Sequence, residues 1–189
     1  MHNVGLTRSM AKKIESQYHT LYKVSDDWVD AKLEQATHDG FVTVAFGLRV
    51  RTPILAKTLR KMKSTPYEAK SEGRTAGNAL GQSYGLLNNR AAIEFQNRVL
   101  NSKYRFSILP IAQIHDSLYF LVKDEVGAVK WFNDNLVECM EWQDLPEIQH
   151  PTVKLGGECE IYYPTWANKY TLPNKATKLE IMKIVGAIP

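Results

Sequence analysis

The sequence predicts an α+β fold in which antiparallel hairpins pack against long helices. Three observations predict it. Ile108-Leu-Pro-Ile-Ala-Gln-Ile114 and Leu118-Tyr-Phe-Leu-Val122 are short apolar runs, β-branched and aromatic. They read as two buried strands, and the polar His115-Asp116-Ser117 between them reads as a tight hairpin. Tyr67 to Asn101 has the length and composition of a long helix. Phe41 to Phe46 alternates as a half-buried strand does.

The remaining elements follow in order. Leu6, Met10, Ile14, Tyr18 and Leu21 share one face of a first helix reaching Tyr22. Ser25-Asp26-Asp27 reads as the cap of a second helix carrying Trp28, Leu33 and Ala36, and Asp39-Gly40 stops it. Gly47 to Pro53 is a basic turn or strand end, and residues 54–66 form an ill-defined basic stretch. Asp124 to Glu141 is amphipathic, burying Val126, Val129, Phe132, Leu136, Val137 and Met140. Thr152 to Leu155 and Glu160 to Tyr163 flank Gly156-Gly157 and read as a further hairpin, with Trp166 and Tyr170 capping the core. Lys178 to Val185 closes the chain as a short helix.

Composition narrows the function classes. Apolar residues make up 44% of the 189, enough for a packed core. Cys139 and Cys159 form no CxxC, so a disulfide framework is not expected and a reducing, cytoplasmic setting fits. No apolar run approaches the ~18 residues of a membrane span. Net charge is +4, but Arg49 to Arg74 holds eight bases against two acids. Such a segment points to a polyanion partner, with a solvated basic loop as the plain alternative. Cys139, His150 and Cys159 match no compact zinc spacing.

Two patterns carry chemistry. Gly73, Gly77, Gly81 and Gly85 recur every four residues, at a cost of roughly 0.5–1 kcal/mol per interior glycine. They describe a smooth stripe, either for close approach of a partner or for helix–helix packing. Arg74, Asn78 and Gln82 form the neighbouring stripe. A guanidinium suits phosphate, and amides suit the minor-groove acceptors that recur at every base pair, so this face fits sequence-tolerant duplex contact. The second pattern is the His115-Asp116 tip. A carboxylate on a rigid hairpin is what a metal-holding catalyst needs; a solvated turn is the alternative.

In their order, these features resemble the C-terminal palm of family A DNA polymerases, the bacterial repair type and its phage relatives. Thr43-Val-Ala-Phe-Gly-Leu-Arg-Val-Arg51 with Pro53 is similar to the family's TLFGRRR…P element. Arg74-Thr-Ala-Gly-Asn78-Ala-Leu-Gly-Gln82 is similar to its R…N…Q helix, and Gln113-Ile-His-Asp-Ser-Leu118 to its third catalytic motif, usually QVHDEL. Gly5-Leu6, Tyr18 and Trp28 resemble the stretch after the fingers helix. The likeness implies a fingers/palm part over residues 1–170, with residues 171–189 an unassigned tail.

The resemblance further implies that Asp116 is a ligand of catalytic Mg²⁺ in a two-metal site. It implies that His115 touches the primer terminus, that Asn78 and Gln82 read the minor groove, and that Arg74 holds a backbone phosphate. Arg49 and Arg51 are the implied DNA contacts of the basic turn. Primer-template DNA and dNTP are the implied partners. Ser117 stands where the family usually has Glu. The family's first catalytic Asp and its nucleotide-gripping Lys, Arg and Tyr are expected before residue 1. The expectation is therefore the second chain of a split phage-type polymerase, inactive without an N-terminal polymerase chain. The alternatives are a non-catalytic duplex-binding accessory protein or a remnant of a palm, and a small α+β domain that binds a protein.

Overall fold

The computed structural model describes residues 5–58 and 65–188. These form two compact units, Met1–Tyr84 and Gly85–Pro189. The class is the expected α+β: six helices and six strands among the described residues, the strands in three separate antiparallel pairs.

In the first unit, α1 (Arg8–Leu21) and α2 (Lys23–Asp39) follow one another with only Tyr22 between. The expected Ser25-Asp26-Asp27 cap is not one: these residues lie inside the first turns of α2, where Asp26 meets His19 Nδ1 at 2.8 Å. Gly40, at φ +73°, ends α2 as expected, since a left-handed C-cap is cheapest for glycine. None of the residues of α1 is buried among the described residues.

The first strand is shorter than its alternation predicts. β1 (Phe41–Thr43) pairs with β2 (Arg49–Arg51), and between them Ala45–Gly47 forms a 3-10 turn with Phe46 at φ +60°. Two consecutive left-handed residues, Phe46 and Gly47, turn the chain too sharply for strand pairing to continue. Residues 54–58 are gathered onto α3 (Tyr67–Gln82), where Glu72 Oε2 accepts the amides of Ile54 and Leu55 at 2.9 and 2.6 Å. Arg60, Lys61 and Lys63 of the basic stretch lie outside the described residues. Leu33, Ala36, Val42, Leu55, Ala76 and Leu80 make the core.

The long helix of Tyr67 to Asn101 is two helices. A 3-10 turn at Ser83–Gly85 separates α3 from α4 (Leu86–Leu100).

In the second unit, α4 and α5 (Val126–Met140) pack around Phe95. Phe95 is fully buried, with edge-to-face partners Phe120 at 5.1 Å and Phe132 at 5.3 Å. β3 (Ile108–Ile114) and β4 (Ser117–Val122) form the expected hairpin, with a register shift between Pro110 and Ala112. Phe120 and Val122 point to the core, so the hairpin is fastened on its inner face by aromatic packing.

The second expected hairpin is wrong in its pairing. Thr152 to Leu155 is not a strand; β5 (Cys159–Tyr162) pairs with β6 (Lys169–Leu172). The Gly156-Gly157 signal has another cause. A Cβ on Gly157 would sit 2.9 Å from Met140 Cβ and 3.5 Å from Val137 Cα, so glycine lets the chain lie directly on α5. Gly157→Ala is therefore expected to cost about 1–3 kcal/mol by overpacking, read as a lower denaturant midpoint at unchanged slope. Trp166 does not cap the core; it is 65% exposed. α6 (Lys178–Ile184) begins with a capping box of Thr177 and Glu180, and its Ile181 joins the core.

Candidate functional site

The β3–β4 hairpin sets the position of His115 and Asp116. Ile114 pairs with Ser117, so the loop has two residues, not the three read from polarity; Ser117 already belongs to β4. A two-residue hairpin demands a positive φ at its first loop position, and His115 takes it at +54°. A left-handed conformation costs a non-glycine residue about 1–2 kcal/mol. His115→Val should therefore be less stable than His115→Gly by about 1 kcal/mol or more, measured as a difference in unfolding free energy.

Asp116 follows, exposed, with no hydrogen bond or ion pair to any described residue. Its carboxylate is a hard oxygen donor, and the residue is among those lining a cleft of about 840 Å³. That chemistry suits one ligand of a magnesium ion. The set is incomplete here: among the described residues no group of three or more His, Cys, Asp or Glu could hold a metal. Glu160 lines the same cleft but is engaged. Lys169 Nζ at 2.6 Å holds its carboxyl below the usual carboxylate range.

The tip is braced from a place the sequence does not reveal. Gln113 Nε2 donates to Asn89 Oδ1 on α4, tying the last turn of β3 to a helix. Beside β4, Trp166 stacks on Tyr162 at 4.3 Å and lies 5.8 Å from Tyr119. The cysteines offer no nucleophile. Burial pushes the Cys159 thiol up to about 12 and raises Cys139 as well. His150 instead accepts the amide of Val153 at 2.9 Å, away from any metal role.

Arg74, Asn78 and Gln82 lie exposed on α3, opposite its buried stripe of Ala69, Gly73, Ala76 and Leu80. Arg74 approaches the Tyr67 ring at 6.0 Å. Neither amide is bonded to another described residue. The glycine stripe divides. A Cβ added at Gly73 would lie 3.9 Å from Leu55, and one at Gly77 3.4 and 3.7 Å from Val29 and Leu33, so these two glycines face helix packing, whereas a Cβ on Gly81 or Gly85 would meet nothing described within 4 Å. Arg49 and Arg51 are exposed on β2, Arg49 lying 4.4 Å over Phe41. The turn before them is fastened to the residue after Gln82: Ala45 N donates to Ser83 Oγ at 3.1 Å. The structure thus gathers Arg49, Arg51, Arg74, Asn78 and Gln82 in the first unit and holds His115 and Asp116 in the second.

The model of DNA polymerase family A matches residues 1–167. The chain belongs to that family. The POL domain of Pol1 from M. smegmatis, solved in complex with DNA primer-template and dNTP, is similar in fold: TM-score 0.57 at 20% identity, covering 82% of this chain. The chain spans a quarter of that polymerase chain. No curated protein sequence matches. Family membership gives the ordered elements a common frame: the Phe46-Gly47 turn, the Arg74-Asn78-Gln82 helix and the His115-Asp116 hairpin all fall within the matched residues. Among the described residues no helix is long and apolar enough to cross a membrane.

Proposed function

We propose that residues 1–170 are the C-terminal fingers/palm part of a template-directed DNA polymerase, which joins dNTP to a primer 3′-hydroxyl. The observation that carries this reading is the Asp116 carboxylate, presented unpaired on a braced hairpin tip in a family A chain. Asp116 would hold magnesium, together with a carboxylate from polypeptide outside residues 1–189. Bound there, the metal pair would lower the pKa of the primer hydroxyl and neutralise charge on the departing pyrophosphate.

The chain's own residues do the rest. His115, fixed by the turn, lies beside Asp116 to meet the primer terminus. The amides of Asn78 and Gln82 donate to minor-groove acceptors common to all base pairs, which is what copying any template requires. Arg74 offers its guanidinium to a backbone phosphate, and Arg49 and Arg51 add charge along the same unit. Beyond residue 170, Leu172, Ala176 and Ile181 join the core, so this part of the chain serves the fold.

The chain is read as the second chain of a split phage-type polymerase in the host cytoplasm. It is silent by itself, because a single carboxylate, with no further His, Cys, Asp or Glu grouped with it among the described residues, supplies too few ligands for a metal pair. Its partner is an N-terminal polymerase chain.

Duplex binding tests the DNA-facing half of this reading. Arg74→Ala is expected to weaken primer-template affinity about tenfold or less and to reduce the salt slope by about one, uniformly across sequences. Asn78→Ala with Gln82→Ala should weaken affinity without changing that slope. Salt-dependent affinity untouched by all three would remove α3 from the DNA surface. The same assay separates a bare duplex-binding accessory: affinity without any extension in the completed assembly is its signature.

A further inference from the structure

We infer that the turn between α4 and β3 is a contact site for an unpaired nucleic-acid strand, where Phe106 stacks on a base and Lys103 and Arg105 meet the phosphates. The turn, residues 101–107, carries the run Lys103-Tyr104-Arg105-Phe106. Tyr104 is buried, whereas Lys103, Arg105 and Phe106 are exposed, Phe106 at 81%. One exposed phenylalanine is ordinary on a protein surface. This one has a cation stacked on it: Arg105 Cζ lies 4.6 Å from the ring centroid. At that exposure the rest of the ring is open to a second planar group.

The turn is held in place from below. The Tyr104 ring packs on Trp131 of α5, with 5.5 Å between centroids. Its carbonyl accepts the amides of Ser107 and Ile108 at 2.8 and 3.1 Å, and its own amide donates to Ser102 Oγ at 3.0 Å. A Cβ on Gly127 would sit 3.2 Å from Tyr104 Oη, so glycine there makes room for the ring. Anchored at its buried tyrosine, the turn has little backbone freedom left to lose when a ligand arrives.

Charge and ring chemistry decide the occupant. From Phe95 to His115 the chain has three bases, Arg98, Lys103 and Arg105, and no acid. Arg98 is engaged by Glu94 and Glu138. Lys103 and Arg105 make no ion pair among the described residues; Lys103 Nζ lies 5.1 Å from the Tyr104 ring. Lys123, brought alongside by its amide bond to Ser107 O at 2.7 Å, is shared with Glu125 and adds little. Two unpaired cations beside an open aromatic face match a single strand, which offers phosphates and base faces together. A duplex keeps its base faces in the stack, and an acidic peptide would answer the cations but leave the ring unused. The seven residues of β3 place this turn about 20 Å along the strand from the His115-Asp116 tip, so the two cannot share one nucleotide. The inference does not rest on the role given to Asp116.

Binding of the chain to a labelled oligothymidylate of about 16 nucleotides tests it, with a blunt hairpin duplex and phosphatidylserine vesicles as further probes. Phe106→Ala is expected to weaken oligothymidylate binding about fivefold or more at an unchanged salt slope, and Phe106→Tyr to bind as the parent does. Lys103→Ala with Arg105→Ala should lower that slope by about 1.4. All three side chains are exposed, so the thermal midpoints should equal the parent's. Oligothymidylate affinity and slope untouched by these changes overturn the site. So does a parent that does not bind the single strand, an equal loss on the blunt duplex, or a loss confined to the vesicles.

Discussion

Asp116→Ala in the completed polymerase is expected to lower the rate of primer extension by at least about a thousandfold, while primer-template affinity changes little. The size follows from what the residue does. Removing a metal ligand, the role proposed for Asp116, that helps neutralise charge developing in the transition state forfeits about 4 kcal/mol or more, at the upper end of the scale seen when a preorganised charge-stabilising group is deleted. The carboxylate makes no contact with other described residues, so its loss leaves the hairpin intact. Thermal stability of the variant should equal that of the parent. Asp116→Asn keeps the shape and loses the charge, and should be nearly as inactive. A variant that retains half its extension rate would remove Asp116 from the catalytic centre. Ser117 bears on the same measurement. A hydroxyl there adds no charge to the metal site, so activity should depend on magnesium concentration more steeply than with Ser117→Glu.

Phe95→Ala is the substitution expected to cost most in stability, about 3–5 kcal/mol. Phe95 is fully buried and meets Phe120 of β4 edge to face, as well as Phe132 of α5. A compact unit of this size holds about 5–15 kcal/mol in total, so the change removes a large share of it. It also removes the surface on which β4 rests. The hairpin tip should therefore become mobile before the unit unfolds. The check is a denaturant titration paired with amide exchange. The midpoint falls, and Ser117–Val122 gains exchange under conditions where α4 is still protected. An unchanged midpoint would mean that the core is organised elsewhere. Phe95→Leu, which fills part of the volume, should recover about half of the loss.

The elements that were legible are those whose signal is local. The β3–β4 hairpin, α5, α6 and the Gly40 stop each follow from periodicity and end residues within a dozen positions. The failures share a cause: a residue type that serves a distant contact. Gly157 mimics a turn signal, yet it is glycine because Met140 presses against it. Ser25-Asp26-Asp27 mimics a cap, yet the break falls at Tyr22, and Asp26 turns back to His19. The end of α3 escaped notice because Ser83-Tyr84-Gly85 carries no proline and Ser83 is engaged from outside the helix by Ala45.

The candidate site divides along the same line. A polar His-Asp pair between apolar runs, and polar residues four apart on a helix, are visible in any reading of the chain. The left-handed turn at His115 and the brace from Asn89 are not visible. Each depends on pairing between segments that the sequence leaves unspecified.

The central claim is that the Asp116 carboxylate binds a divalent metal at the primer terminus. Paramagnetic broadening by Mn²⁺, recorded on the amide signals of the completed polymerase with primer-template and dNTP bound, tests it most directly. The claim predicts strong broadening at His115, Asp116 and Ser117 that Asp116→Asn abolishes. Broadening centred elsewhere, or unaltered at the tip in Asp116→Asn, would contradict it.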